Sequence, residues 1–353
     1  MNDVIHCITT IERGGAEKQL LILVKEQIKL GFNVTVIFLK GKPDLKTELE
    51  YAGAKICTDL LNCSFLGQVQ KLKHILKYNS GVLHAHLPRS ELLCFIANSK
   101  NKFLVTRHNS EQFFPKAPRI ISSLISRYIS KKFIACIAIS NAVKNHLESN
   151  NELRKNVLVH VVYYGYDDDL PTRALSLNKN RPSLIGTVGR LVSQKDQETL
   201  ITAFAKYHEI NSKSHLLIIG DGILSGNLKA FSKNLGISRN ITWIKNTSDP
   251  YFFMSHMDLF ILSSKYEGFG LVLLEAMQSG VPIVAANNSS IPEVLGEGYP
   301  GLFKTGDANE CLYKISHICE SIDRKELRNI YEFNLARFNP QRMAKSIGES
   351  YKL

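Results

Sequence analysis

The chain has no C-x-x-C pair, no apolar run near the roughly 18 residues of a membrane-spanning helix, and no basic start leading into an apolar stretch. Without C-x-x-C, the seven cysteines (Cys7, Cys57, Cys63, Cys94, Cys136, Cys311, Cys319) are expected as reduced core thiols of a cytosolic protein, not a disulfide frame or zinc site. The other two absences lead to the expectation of a protein neither exported nor integral to a membrane. Repeated basic–aromatic interleaving, a helix-turn-helix pattern and an RNA-binding signature are also missing, so nucleic acid is not an expected partner. The glycine string after the opening strand, Arg13-Gly14-Gly15, is not G-x-G-x-x-G, which weighs against a dinucleotide cofactor there, and the chain has neither an internal repeat nor a low-complexity tract.

What is present suits two domains. A chain of 353 residues exceeds one ordinary core, and an apolar content of 44% can fill two. The net charge of +12 is uneven: residues 1–170 carry 23 Lys/Arg against 15 Asp/Glu, and residues 171–353 carry 21 against 17. The basic first half suits an anionic partner such as a nucleotide or an anionic membrane face.

Short apolar runs alternate with amphipathic stretches, the pattern of parallel sheets with crossover helices. Strands are expected at 4–9, 34–39, 54–57, 82–86, 103–106, 134–139 and 157–161, then at 184–188, 216–219, 241–244, 259–262 and 283–285. Helices are expected at 16–30, 66–78, 89–98, 119–130 and 141–149, then at 197–208, 224–235, 249–255, 271–279, 309–321 and 324–336. The fold class is therefore α/β, with two doubly wound sheets whose ligands bind off the carboxyl ends of the strands. Expected boundaries are a first domain at 1–168, a polar linker at 169–182, a second domain at 183–336 and a last helical segment at 337–353.

The most informative string runs from Tyr266 to Ala286. Glu267 and Glu275, with seven residues between them, flank Gly268-Phe269-Gly270 and the start of a helix at Leu271. The glycines let the backbone approach an anion, and the first helical N–H groups point at it. Helical side chains lean toward the N-terminus, so Glu275 reaches over the first turn, where a carboxylate can accept from both hydroxyls of a ribose. Glu267 would repel a diphosphate and should meet sugar hydroxyls beyond it. On the wheel, Val272, Leu273, Leu274, Ala276 and Met277 share an apolar arc, opposite Leu271, Glu275, Gln278 and Ser279. The plainer alternative is that both glutamates complement the helix dipole.

This string resembles the E-x7-E signature of retaining glycosyltransferases of family 4, which have the two-domain GT-B fold with Rossmann-like domains facing across a cleft. The resemblance implies that Glu275 holds the nucleotide ribose and that Glu267 lies beside the transferred sugar. Three further segments extend it. Arg13-Gly14-Gly15-Ala16-Glu17, between the first strand and helix, is similar to a loop that faces donor sugar and diphosphate, which implies Gly14 and Gly15; an ordinary glycine turn is the other reading. Gly189-Arg190 and Lys195 resemble a string whose two cations meet the charge of the leaving diphosphate; solvated surface charge is the alternative. His108, leaving the strand 103–106, matches a histidine that hydrogen-bonds the transferred sugar.

Weaker likenesses remain. Gly220-Asp221-Gly222 resembles a structural turn near the nucleotide, and Trp243 to Asn246 ends the strand where the family holds the base. Ser289-Ser290-Ile291-Pro292-Glu293 matches the family's G-G-x-P-E loop with serines at both glycines, which narrows its backbone freedom. His84 and His86 form an H-x-H pair without a carboxylate or cysteine cluster and are expected to pack or to support the site. Asp167-Asp168-Asp169 satisfies the D-x-D pattern of metal-nucleotide binding in another glycosyltransferase fold, although Tyr164-Gly165-Tyr166-Asp167 also resembles the family's hinge. Residues 119–132 form an amphipathic helix with Ile121, Leu124, Ile125, Tyr128 and Ile129 on one side, suited to packing on a sheet or to membrane contact. The segment after Pro340 resembles a terminal helix that crosses back to the first domain.

The resemblance implies a retaining, metal-independent transfer of a hexose or N-acetylhexosamine from a nucleotide-sugar, UDP foremost, with no cofactor. The implied acceptor is a lipid-linked glycan of bacterial surface polysaccharide (O-antigen or capsule), met as a peripheral protein at the inner face of the cytoplasmic membrane. Two rivals stay open: a UDP-sugar epimerase of similar architecture, and an inactive nucleotide-binding partner subunit.

Overall fold

The computed structural model describes residues 3–98, 102–114, 117–167, 169–171, 183–245, 247, 249–320 and 322–353. The chain divides into two compact units, Met1–Gly165 with Phe338–Leu353, and Tyr166–Arg337. Most of the expected linker, together with Asp168 and Asn246, lies outside the described residues.

In the first unit the strands are β1 (Asp3–Ile8), β2 (Asn33–Phe38), β3 (Lys55–Cys57), β4 (Val82–His86), β5 (Phe103–Arg107), β6 (Phe133–Ala138) and β7 (Leu158–Val161). They form one sheet in the order β3-β2-β1-β4-β5-β6-β7, every pair parallel. The second unit has β8 (Leu184–Val188), β9 (His215–Ile219), β10 (Ile241–Ile244), β11 (Leu259–Leu262), β12 (Ile283–Ala286) and β13 (Leu302–Phe303). These pair in the order β10-β9-β8-β11-β12-β13, again all parallel. Strands such as β11 are buried along their whole length, which is why they read as continuous apolar runs rather than alternating ones. Chain order reverses between β1 and β4 in one sheet and between β8 and β11 in the other. At such a switch point neighbouring connections leave to opposite faces and open a crevice off the strand ends.

Every expected strand and helix is present, with ends shifted by no more than two residues. Besides single 3-10 turns such as Ser193–Lys195 and Ser238–Asn240, three short elements among the described residues escaped the sequence pattern: a helix at Lys46–Tyr51, a helix at Ile291–Leu295 and the two-residue strand β13. The last helix, Pro340–Ser350, packs in the first unit, with Met343, Ala344 and Ile347 buried and Asn339 capping its start through the Arg342 N–H at 3.0 Å. All seven cysteines are free.

The helix Arg119–Ile129 is inverted relative to an ordinary core helix. Ile120, Ile121, Leu124 and Tyr128 are 76%, 50%, 60% and 56% exposed, while Ser122 and Ser126 are buried. The serines face inward because each has a partner there: the Ser122 hydroxyl accepts from the Phe114 N–H at 2.8 Å, and that of Ser126 from Arg107 Nη2 at 2.8 Å. Of the expected apolar face only Ile129 is buried. No helix among the described residues is long and apolar enough to cross a membrane.

Candidate active site

In the second unit the loops after β8 and β11 leave adjacent strands at the switch point, which brings Lys195 and Glu267 together across 72 residues of chain. Lys195 Nζ lies 2.5 Å from Glu267 Oε1, and the Ser264 hydroxyl donates to the same oxygen at 2.6 Å. Glu267 is 6% exposed, a degree of burial that a carboxylate tolerates when paired in this way. The charge conflict foreseen between Glu267 and a diphosphate is thereby met inside the protein. Gln194, which the sequence did not single out, stitches the two loops together. Its amide donates to Tyr266 O at 2.9 Å, its backbone carbonyl accepts from the Lys265 N–H at 2.7 Å, and Arg190 Nη2 lies 3.4 Å from its Oε1. Arg190 is exposed.

Gly220 and Gly222 sit against the β8 loop so closely that a Cβ would lie 1.9 Å from Gly189 O and 2.3 Å from Leu191 O. The G-x-G turn therefore supports the Arg190 loop by letting two backbones touch.

The helix Leu271–Ser279 begins at Gly270, whose φ of +87° suits glycine, and no side chain caps it. The Leu273 N–H already donates to Gly270 O at 2.8 Å, so the first-turn N–H groups presented at the sheet's carboxyl edge, as an anion site requires, are those of Leu271 and Val272. Phe269 is 2% exposed, so its ring is packed inside and anchors the loop. Leu271 and Glu275 are half-buried one turn apart on the same helix face. The helical wheel is corrected on two counts. Gln278 and Ser279, expected on the polar side, are buried, with the Gln278 amide donating to Asp167 O at 2.8 Å and the Ser279 hydroxyl to Ala276 O at 2.8 Å. Val272, expected in the apolar arc, is only half-buried. Asn246 lies outside the described residues.

In the first unit Gly14 caps the helix Gly15–Lys29 off the end of β1, with no side-chain cap bond. A Cβ on Gly14 would meet Glu17 Oε2 at 2.4 Å, so glycine there makes room for the Glu17 carboxylate, which accepts from the Thr10 hydroxyl at 2.5 Å. His108, just past β5, is bound at both ring nitrogens. Nε2 is 3.1 Å from His86 Nδ1, and Nδ1 meets the Tyr164 hydroxyl. Its expected ring contact with a sugar therefore requires release of one of these partners.

His86 leads on to His6 (2.9 Å), and His6 to Gln27 Oε1 (2.7 Å); His84 joins Tyr351 at 3.0 Å and Thr106 at 2.7 Å. Gln27 Nε2 donates to the Tyr351 hydroxyl at 2.7 Å, which leaves its carbonyl to accept from His6 Nε2–H. That choice propagates: His86 Nε2–H donates to His6, His108 Nε2–H to His86, and Tyr164 O–H to His108. Burial lowers the pKa of all four, His6 to about 4 and His108 to about 3, so the imidazoles are neutral and each offers one donor and one acceptor. The candidate ligand atoms of His6, His84 and His86 lie within 4.8 Å of one another, yet each ring nitrogen already has a hydrogen-bond partner. The expected support role of His84 and His86 takes the form of this chain, and His6 was missed as its third member. A cavity of about 20 Å³ beside His86, Thr106, His108 and Tyr164 is large enough for one water.

Sequence reasoning also missed the ion cluster under His108. Arg107, fully buried, lies 2.9 Å from Glu91 and 3.0 Å from Glu152, and stacks 4.6 Å from the Phe113 ring. Burial raises Glu91 to about 7, although Arg107 opposes the shift. An isolated Arg followed by His carries no periodic signal, so nothing in the pattern marked it.

Residues 13–170 match the family model Glycosyltransferase Family 4, and residues 171–332 match Glycosyl transferases group 1. The chain is a family 4 glycosyltransferase. It is 25% identical over 273 residues to N-acetyl-alpha-D-glucosaminyl L-malate synthase of Bacillus anthracis, covering 72% of this chain and 71% of that protein. It is 24% identical over 292 residues to the O-antigen biosynthesis glycosyltransferase WclY of Escherichia coli, covering 76% and 80%. The crystal structure of Anabaena Alr3699/HepE in complex with UDP and glucose superposes with a TM-score of 0.82 at 20% identity, covering 100% of both chains. The fold is GT-B, built from two all-parallel Rossmann-like units.

Within this glycosyltransferase the predicted residues fall at the carboxyl edges of the two sheets. Arg190, Lys195, Glu267, Gly270, Leu271 and Glu275 belong to the second unit, and Gly14, Gly15 and His108 to the first.

Proposed function

We propose that this glycosyltransferase transfers a hexose or N-acetylhexosamine from a UDP-sugar to a lipid-diphosphate-linked glycan in bacterial surface polysaccharide assembly, with retention and without a metal. The observation that carries the reading is the Lys195–Glu267–Ser264 constellation beside the uncapped start of the helix Leu271–Ser279. A diphosphate on those amides has Arg190 and Lys195 as its cations, and Glu275 reaches the ribose. Glu267 meets the hydroxyls of the transferred sugar. As the anomeric C–O bond to the diphosphate breaks, negative charge grows on the leaving oxygen and is met by these donors. The acceptor oxygen bonds to the same face of the anomeric carbon, and its proton passes to the departing diphosphate. WclY, named for O-antigen synthesis, and HepE, bound to UDP and glucose, support the substrate classes.

A panel of UDP- and GDP-sugars, scored by thermal shift and slow donor hydrolysis with and without EDTA, tests the proposal. A UDP-sugar should stabilise the protein and be hydrolysed equally with chelator present. Strict metal dependence would point instead to Asp167–Asp169. Isomerisation of the sugar without an acceptor would favour an epimerase, and binding without any turnover an inactive subunit.

The same reading places the enzyme at an anionic membrane face. The inverted helix supports it: four exposed apolar side chains lie beside Arg119, Arg127 and Lys131, and Lys131 Nζ stands 3.6 Å over the Tyr128 ring. Burying one such side chain in lipid contributes roughly 1.5–3 kcal/mol, and each basic neighbour adds about 1 kcal/mol at an anionic surface. The protein should sediment with phosphatidylglycerol vesicles and not with phosphatidylcholine alone. The double variant Ile121→Glu/Leu124→Glu should lose most of that binding with little change in melting temperature, because both side chains are already exposed. Equal sedimentation of variant and wild type would remove this helix from consideration.

A further inference from the structure

Glu267 is held by more than its ion pair. The Ser289 hydroxyl accepts from the Glu267 N–H at 2.9 Å, and the Ser290 hydroxyl donates to the Glu267 carbonyl at 3.1 Å. Two consecutive side chains thus take both backbone polar groups of one residue 22 and 23 positions away. The Ser289 proton goes to Asn288 Oδ1 at 2.9 Å. The Asn288 amide donates to Ser264 O at 2.8 Å and to the Thr305 hydroxyl at 2.6 Å. Ser264 in turn binds Glu267 Oε1 at 2.6 Å, which closes a ring of contacts from the loop after β12 back to the carboxylate.

Ser289 has a φ of +42°, a left-handed conformation that glycine adopts freely and serine rarely. The backbone alone would be better served by glycine. The feature serine adds is the hydroxyl, and that hydroxyl is spent on Glu267 and Asn288. With its peptide clasped on both sides and Oε1 pinned by Lys195 and Ser264, the carboxylate has one direction left. Oε2 has no partner among the described residues, so it is the atom offered to a ligand.

We propose that Ser289 and Ser290 are positioning residues that aim Glu267 Oε2 at the transferred sugar; the inference rests on the reading of Glu267 given above. The serines noted in the sequence as narrowing the loop's freedom are, on this view, the reason the loop can orient the acid. Misplacing a reacting group by about 1 Å can cost on the order of a hundredfold in rate.

The test is Ser289→Gly, which relieves the left-handed strain at an exposed position and so keeps the fold, with Ser290→Ala as a second variant. Donor hydrolysis is measured with the UDP-sugar that the wild type turns over, alongside UDP thermal shift and a crystal structure of the glycine variant. Ser289→Gly should lower kcat about tenfold or more with KM and the UDP shift unchanged, and the Glu267 carboxylate should be rotated or split between conformers. If Ser289→Gly and Ser290→Ala both keep kcat within about twofold while Glu267→Gln loses it, the clasp is only a loop staple and the proposal is overturned. If Glu267→Gln also keeps kcat, the underlying assignment of Glu267 fails and takes this inference with it.

Discussion

Glu267→Gln should lower sugar-donor turnover by about two to three orders of magnitude while UDP binds at least as well as to the wild type. The expectation follows from what Oε1 and its neighbours do. The carboxylate is buried and accepts from Lys195 Nζ at 2.5 Å and from Ser264 at 2.6 Å. The amide keeps the volume but removes the charge, and so removes an interaction whose value grows as positive charge develops on the sugar ring. Losses of preorganised electrostatic contacts of this kind commonly reach 10²–10³ in kcat. Lys195, released from its partner, has more of its charge available to a diphosphate, so nucleotide affinity should hold or rise. Lys195→Met should behave differently, because it strands a buried carboxylate and removes a phosphate contact. It should weaken UDP binding and lower the melting temperature as well as the rate. Steady-state hydrolysis with UDP calorimetry on both variants separates the cases. Wild-type kcat in Glu267→Gln would remove that side chain from the chemistry.

Acid should unfold the protein well before its surface carboxylates are protonated. Burial lowers His6 to about 4 and His108 to about 3, and lowers His84 and His86, where neighbouring histidines add to the effect. In the unfolded chain these groups titrate near 6.5. Above that pH both states are neutral there and the network contributes fully. Below it the unfolded state takes up protons that the folded state refuses, so stability falls as pH drops from 6.5 toward the folded values. Each histidine costs about 1.4 kcal/mol per pH unit across that window. At pH 5 His6 alone accounts for about 2 kcal/mol and His108 for about as much again, a large part of the 5–15 kcal/mol of a typical domain, and His84 and His86 act in the same direction. Glu91 acts in the opposite sense. Its value of about 7 means that a penalty already present at neutral pH is relieved as pH falls, which offsets roughly one histidine. Urea midpoints at pH 7.5 and pH 5.0 should therefore differ strongly. Equal midpoints would mean that the imidazoles titrate as if exposed.

Much of the scaffold was legible because its signals are local. β4, β8, β10 and β11 match their expected bounds, since each is an apolar run closed by a change of composition. The elements that escaped, Lys46–Tyr51, Ile291–Leu295 and Leu302–Phe303, are too short to establish a period. The helix Leu271–Ser279 was legible in position but not on all of its faces. It is surrounded closely enough that Gln278 is buried against a backbone carbonyl, a partner no wheel can name.

The helix Arg119–Ile129 makes the same point in reverse. Its amphipathic period was plain, yet a period states that two faces differ and not which one turns inward. Ser122 and Ser126 went inside because Phe114 and Arg107 supply their hydrogen-bond partners there.

By itself, then, the order of residues determined two wound sheets and the loops at their carboxyl ends that carry Arg190, Lys195, Glu267 and His108. Propensity, glycine placement and apolar periodicity act within a few residues, and that range suffices for strand ends. Tertiary structure alone decided that Lys195 meets Glu267, that Ser289 and Ser290 clasp the same residue, and that His6, His86 and His108 share protons in a row. Those contacts join segments at least 22 positions apart, where partner choice depends on which strands become neighbours and on how buried polar groups find one another.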